Sequence, residues 1–133
     1  MNEKFRLLIV DDEPDVLDTL RETIESVHDV ATATTGFAAL EILRTQPIDL
    51  LITDQRMPHM TGLQLMMRAR IDHPMLLAIV LTAYTHPLDL AQALNQGNVF
   101  RVLSKPWDRS ELMQTIDRAL AEVNARRQRK PTP

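Results

Sequence analysis

The stretch Leu50 to Gly62, LLITDQRMPHMTG, decides the fold. Its first half is an uninterrupted apolar run closed by a single carboxylate, Asp54. A loop follows at once, marked by Met57-Pro58 and, four residues on, Gly62. A short apolar run with no polar alternation reads as a strand buried on both faces, as in the middle of a parallel sheet. An acid at the tip of such a strand is ordinarily a turn or helix-capping residue. Whether Asp54 is more than that depends on what stands at the tips of its neighbours.

Working outward, FRLLIV (5–10), IDLLIT (48–53) and LLAIVLT (76–82) share this continuous character and are expected to be central strands. DVATAT (29–34) and VFRVL (99–103) carry more polar residues, as edge strands do. Amphipathic helical patterns lie between them. The first starts at Pro14, a favourable first helical residue, and points Val16, Leu17, Leu20 and Ile24 inward. The second runs from about Thr35 to Arg44, and the third from about Thr61 to Ile71, with Met66 and Met67 expected to pack. The fourth spans about Pro87 to Asn95 and stops at Gly97. The fifth, from about Asp108 to Ala125, buries Leu112, Met113, Ile116, Leu120 and Val123.

Five strand–helix units make an α/β, doubly wound parallel sheet. With only the second and fifth strands edge-like, the expected strand order is 2-1-3-4-5. In that order, ligands bind beyond the carboxyl ends of strands 1 and 3. The expected organisation is one domain over residues 1–125 followed by a basic linker or tail, 126–133.

Composition narrows the function. The 133 residues are 44% apolar and 25% charged, a globular profile large enough for a real core. A net charge of −3 gives no general attraction to nucleic acid or membrane. The absence of cysteine excludes disulfides, thiol chemistry and Cys-ligated metals. Three glycines leave no Gly-rich phosphate loop. No apolar run is long enough to span a bilayer and the N-terminal one is too short for a signal peptide, so a cytoplasmic chain is expected.

The strand tips converge on one rim. Strand 1 is followed by Asp11, Asp12 and Glu13, strand 3 ends in Asp54, strand 4 in Thr82, and strand 5 is followed by Lys105-Pro106. Clustered carboxylates repel unless a cation joins them. Oxygen donors without His or Cys suit Mg2+, which keeps waters and leaves positions for phosphate oxygens. Such a site can transfer a phosphoryl group, with a carboxylate as nucleophile. The metal, the Lys105 ammonium and the Thr82 hydroxyl would each take one phosphoryl oxygen.

With these residues in view, the chain resembles a receiver domain of a two-component response regulator, over about residues 5–125. LIVDDEP, ITDQRMPHMTG, LTAY and LSKPW carry the resemblance. It implies a flavodoxin-like fold in which Asp54 is phosphorylated by a sensor histidine kinase, a phosphotransfer protein or small phosphodonors. It further implies Asp12, Asp54 and the backbone carbonyl of Arg56 as direct Mg2+ ligands, with Asp11 binding through water. Thr82 and Lys105 become the switch hydroxyl and the phosphate-binding lysine, and the Lys105-Pro106 peptide is expected to be cis. Such a domain catalyses only its own phosphorylation and dephosphorylation. NVFRVLSKPWD together with DQRMPHMTG is similar to receivers attached to HD-GYP phosphodiesterases or AAA+ transcription activators, implying an output domain on a longer chain.

Two departures stand out. Receivers usually carry an aromatic residue three positions before the lysine, where this chain has Val102. Phe100, two residues earlier on the same strand, is expected to share its side of the sheet. Arg56 and Tyr84 are both large and are expected to overhang the site and slow hydrolysis. The alternatives are a pseudo-receiver that serves as an interaction module, and a stand-alone Mg2+ phosphatase. The phosphatase would need a second acid where Arg56 stands. His28, His59, His73 and His86 show no ligand spacing and are expected at the surface or in loops. Trp107 is expected to cover the sheet edge. Arg126, Arg127, Arg129 and Lys130 read as a solvated linker rather than a DNA-binding element. Exposed apolar residues among Leu88, Leu90, Phe100 and Met113 would favour a homodimer or output docking.

Overall fold

The computed structural model describes residues 4–83 and 98–128. The fourth expected helix, with His86, Leu88 and Leu90, lies outside these residues, as do Tyr84, Arg129 and Lys130. The elements are β1 (Arg6–Val10), α1 (Pro14–Ile24), β2 (Asp29–Ala33), α2 (Gly36–Thr45), β3 (Leu50–Asp54), α3 (Gly62–Asp72), β4 (Leu77–Thr82), β5 (Val99–Ser104) and α4 (Arg109–Gln128). The strands form one five-stranded parallel sheet in the order β2-β1-β3-β4-β5.

The apolar runs become central strands because side chains alternate between faces and both faces are covered. Leu7, Ile9, Leu50, Ile52, Leu77, Ile79 and Leu81 pack on one side with α1 and α4. Leu8, Val10, Leu51 and Ala78 pack on the other with α2 and α3. Every residue of β3 and β4 is buried, whereas β2 and β5 include half-buried and exposed positions. The edge assignments therefore hold.

Local signals set the helix starts. Pro14 opens α1. The Thr35 hydroxyl accepts from the Ala38 N–H at 3.0 Å at the head of α2. Thr61 and Gln64 form a reciprocal capping box on α3. An Asp108 carboxylate oxygen accepts from the Glu111 N–H at 2.8 Å before α4. Helix α4 runs three residues past Ala125. Its last turns are fastened by Arg126–Glu122 and Arg127–Asp49 ion pairs, which place two of the basic residues assigned to the linker on the helix.

Two expectations change. Phe100 and Val102 do not share a side of the sheet. The pairing of β4 with β5 steps from Ala78–Val99 to Ile79–Arg101, so β5 carries one extra residue. This β-bulge resets the alternation. Phe100 packs with the cluster under α1 and α4, while Val102 packs against Leu63, Val80 and Val99 on the α3 side. Phe100 therefore does not replace an aromatic side chain at position 102. Of the two adjacent methionines, Met66 is fully buried and Met67 is more than half exposed, because consecutive helical residues lie about 100° apart. Trp107 is half-buried against the first cluster.

His28 lies in the loop between α1 and β2, one of the two placements expected, but it is buried there and not at the surface. Its Nδ1 accepts from the Phe5 N–H at 3.4 Å, its ring meets the edge of Phe5, and its Nε2 is buried with no partner among the described residues. Burial holds this imidazole below its ordinary pKa, outweighing the upward pull of the carboxylates of Asp117, Asp29 and Asp49. The folded chain therefore refuses a proton that the unfolded chain accepts near pH 6.5. Stability is expected to fall as pH drops from about 7 towards 5, and the loss levels off once the folded-state pKa is passed. Urea denaturation across that range, compared with His28→Phe, measures it. An equal slope in the variant would contradict the assignment.

Candidate functional site

The carboxyl ends of the central strands bring the expected residues to one rim. Asp11 follows β1, Asp54 ends β3, Thr82 ends β4, and Lys105 follows β5. Parallel registry sets this: Asp54 stands opposite Leu81, Thr82 opposite Ser104, and the Lys105 N–H donates to the Thr82 carbonyl at 3.0 Å. The Lys105-Pro106 peptide is cis, as expected. The aliphatic stem and head of Lys105 reach across the rim to residues far away in sequence.

Asp11, Asp12 and Asp54 each present a carboxylate oxygen within 4.8 Å of the others. Asp11 is buried, and one of its oxygens accepts from Lys105 Nζ at 2.6 Å. Its other oxygen accepts from the Glu13 N–H at 2.9 Å, forming the turn into α1. Asp54 is 8% exposed. Its Oδ1 accepts from the Gln55 N–H at 2.8 Å, and its Oδ2 lies 3.1 Å from Lys105 Nζ. Asp12 is half-buried and Thr82 is buried beside the acids' strand. Arg56 is exposed in the loop after β3, and Tyr84 lies outside the described residues.

Electrostatics explain why the site calls for a cation. Burial pushes the Asp54 carboxyl above its ordinary range and the nearby Asp11 charge adds to that, although Lys105 and the Gln55 N–H pull it down. Burial alone would lower Lys105. Its bonds to Asp11 and Asp54 more than offset this, and its pKa is raised. Three carboxylates against one ammonium leave the site with two uncompensated negative charges. A divalent cation meets that deficit. The donors are oxygens only and lie close enough together to share one ion, which fits Mg2+.

The direct pairing of Asp11 with Lys105 links residues 94 positions apart. Sequence spacing carries no signal for it. It becomes readable once the strand order places β1 and β5 on the same sheet with their carboxyl ends together.

A doubly wound α/β domain with acids at its switch point belongs to the class that binds ligands beyond the carboxyl ends of its strands. Comparison with known proteins narrows the class. The family model described as the response regulator receiver domain matches residues 7–117. The chain therefore belongs to the response regulator receiver domain family.

Among curated relatives, the transcriptional regulatory protein GlrR of Escherichia coli is 41% identical over 118 residues, covering 87% of this chain and 26% of GlrR. The DNA-binding transcriptional regulator NtrC of Klebsiella pneumoniae is 33% identical over 126 residues, covering 94% of this chain and 27% of NtrC. The hydrogenase transcriptional regulatory protein HoxA of Cupriavidus necator is 32% identical over 119 residues, covering 90% of this chain and 25% of HoxA. The chain spans about a quarter of the length of these relatives.

Among solved structures, the receiver domain of an HD domain-containing protein from Pseudomonas fluorescens is similar, with a TM-score of 0.87 and 29% identity over 92% of this chain and 99% of that one. A CheY-like receiver domain from Methanospirillum hungatei gives a TM-score of 0.87 and 26% identity over 93% of this chain and 99% of that one. Among the described residues no helix is long and apolar enough to cross a membrane.

Proposed function

We propose that the domain is a phosphorylation-dependent switch in which Asp54 accepts a phosphoryl group from a phosphohistidine of a sensor histidine kinase or phosphotransfer protein. The observation that carries this is the state of Asp54. It is the carboxylate at the strand tip whose one oxygen is oriented by a backbone N–H while the other faces a lysine, between two further acids. Asp11 has the same kind of partners, the Glu13 N–H at 2.9 Å and Lys105 at 2.6 Å, but its Lys105 contact is the shorter and it is the more deeply buried of the two acids.

In the transfer, an Asp54 carboxylate oxygen attacks phosphorus. The new P–O bond forms as the donor's P–N bond breaks, and the imidazole nitrogen keeps the electron pair. Lys105 can follow the negative charge from the carboxylate onto a phosphoryl oxygen, since Nζ already lies 3.1 Å from Oδ2. The Thr82 hydroxyl, at the tip of the adjoining strand, takes a second oxygen. Asp12, Asp54 and the Arg56 carbonyl would hold Mg2+, with Asp11 acting through water. When bound, the ion neutralises charge on the phosphoryl oxygens. Hydrolysis returns Asp54 and inorganic phosphate.

We read residues 1–125 as the receiver and 126–133 as the start of a linker towards an output domain of a longer cytoplasmic regulator. The likeness to about a quarter of the length of transcriptional regulators supports an output that acts on transcription. The metal requirement is tested by labelling with acetyl phosphate. A gain of one phosphoryl mass is expected with Mg2+, none with excess EDTA, and recovery when Mg2+ is restored. Equal labelling in EDTA would contradict the role assigned to the acids.

A further inference from the structure

Gln55 is bonded to both sides of the junction between β3 and α3. A helix begins with backbone N–H groups that lack partners within the helix. In α3, the Gly62 N–H donates to the Gln55 carbonyl at 3.0 Å, and the Leu63 N–H donates to Gln55 Oε1 at 2.9 Å. The Gln64 N–H donates to Thr61 Oγ1 at 3.1 Å. One residue thus meets two of these three donors, from seven and eight positions back along the chain. The same residue's N–H donates to Asp54 Oδ1 at 2.8 Å.

The junction is also tight. A Cβ on Gly62 would stand 2.4 Å from the Asp54 carbonyl oxygen, so the helix start is pressed against the strand tip at backbone distance. The loop from Gln55 to Thr61 is therefore tied at both ends, and Arg56 lies within it. Thr61, the helix's own cap, reaches Gln64 and leaves Leu63 to Gln55. An apolar side chain at position 55 offers no acceptor.

We propose that Gln55 is a positioning residue for the cation site: by fastening the head of α3 to the tip of β3, it holds the Arg56 carbonyl in register with the acids. The inference rests on the reading of those acids as a Mg2+ site. It gives position 55 a task distinct from that of Asp54, and it explains why a polar side chain of this length stands there. A residue that only capped the helix would alter stability and leave cation affinity alone.

The test uses the full chain. Amide exchange at Leu63 is followed by NMR, and Mg2+ affinity by calorimetry, in wild type, Gln55→Leu, Gln55→Ala and Gln55→Glu. In the Leu and Ala proteins the Leu63 amide is expected to exchange at least about tenfold faster and the Mg2+ Kd to rise about tenfold, the scale for losing a residue that orients metal ligands. Gln55→Glu keeps an acceptor of the same reach and restores Leu63 protection. Should Gln55→Leu fail to fold, the Ala protein alone decides.

An unchanged Mg2+ Kd with an unprotected Leu63 reduces Gln55 to a helix cap and overturns the proposal. Unchanged Leu63 protection in the Leu and Ala proteins overturns it too, as does a wild-type chain that does not bind Mg2+. A wild-type chain that shows the Gln55-dependent Mg2+ binding but takes no phosphoryl group leaves this inference standing and removes the switch function.

Discussion

Lys105→Ala slows labelling by acetyl phosphate about 100-fold at saturating Mg2+, the scale for removing one donor to developing oxyanion charge in a shielded site. The ammonium lies within 3.1 Å of Asp54 and 2.6 Å of Asp11, and is itself largely buried against them. Its position is set by the strand order, which brings the end of β5 to the same rim as β1 and β3. Removing it leaves the three acids with no ammonium at this position, so the variant's melting temperature should also depend more steeply on Mg2+ concentration than that of wild type. Labelling followed by intact mass over time gives the rate. A rate within about threefold of wild type would show that Lys105 holds Asp11 in the resting state and takes no part in transfer.

The second large effect is structural. Gly62→Ala is expected to cost about 1–3 kcal/mol, the range for overpacking a close contact. The added methyl would meet the Asp54 carbonyl oxygen at 2.4 Å, the Thr53 Cγ2 at 3.1 Å and the Asp54 carbonyl carbon at 3.2 Å. Two of these atoms are backbone and cannot rotate aside. Either α3 backs away from the strand tip or β3 shifts, and both displace Asp54. Urea denaturation should therefore show lost stability together with weaker Mg2+ binding. Gly36→Ala is the instructive comparison. Its new methyl would meet side-chain atoms only, Met60 Sδ at 2.5 Å, Cγ at 3.0 Å and Cβ at 3.1 Å, and none of the backbone at the acids, so a smaller loss with Mg2+ binding intact is expected there. A Gly62→Ala protein as stable as wild type would mean that the junction is looser than its geometry indicates.

The legible parts of this fold are those set by local physics. A strand buried on both faces has no freedom to alternate, so Leu7–Val10, Leu50–Ile52 and Leu77–Leu81 announce themselves as apolar runs. The acids and the lysine could be placed on one rim because parallel strands put all their carboxyl ends on the same side. What stayed hidden depends on contacts between distant residues or on one inserted position. The β5 bulge is a single extra residue, enough to send Phe100 and Val102 to opposite faces, and nothing in VFRVL marks it. His28 is buried through its contacts with Phe5, 23 residues earlier, which no local pattern reveals. Gln55 reads as an ordinary loop residue until the start of α3 is seen bonded to it.

These same contrasts bear on output. Val102 is packed among aliphatic side chains on the α3 side of the sheet. A signal that depends on rotating an aromatic ring at that position has no ring to rotate here.

The most direct measurement is the intact mass of wild type and Asp54→Asn after incubation with acetyl phosphate and Mg2+. The account predicts one added phosphoryl group on wild type and none on the variant, with the label mapping to Asp54. Labelling of Asp54→Asn to the same extent would place the acceptor elsewhere. No label on wild type, together with no binding of beryllofluoride, would leave a receiver fold that acts without phosphate.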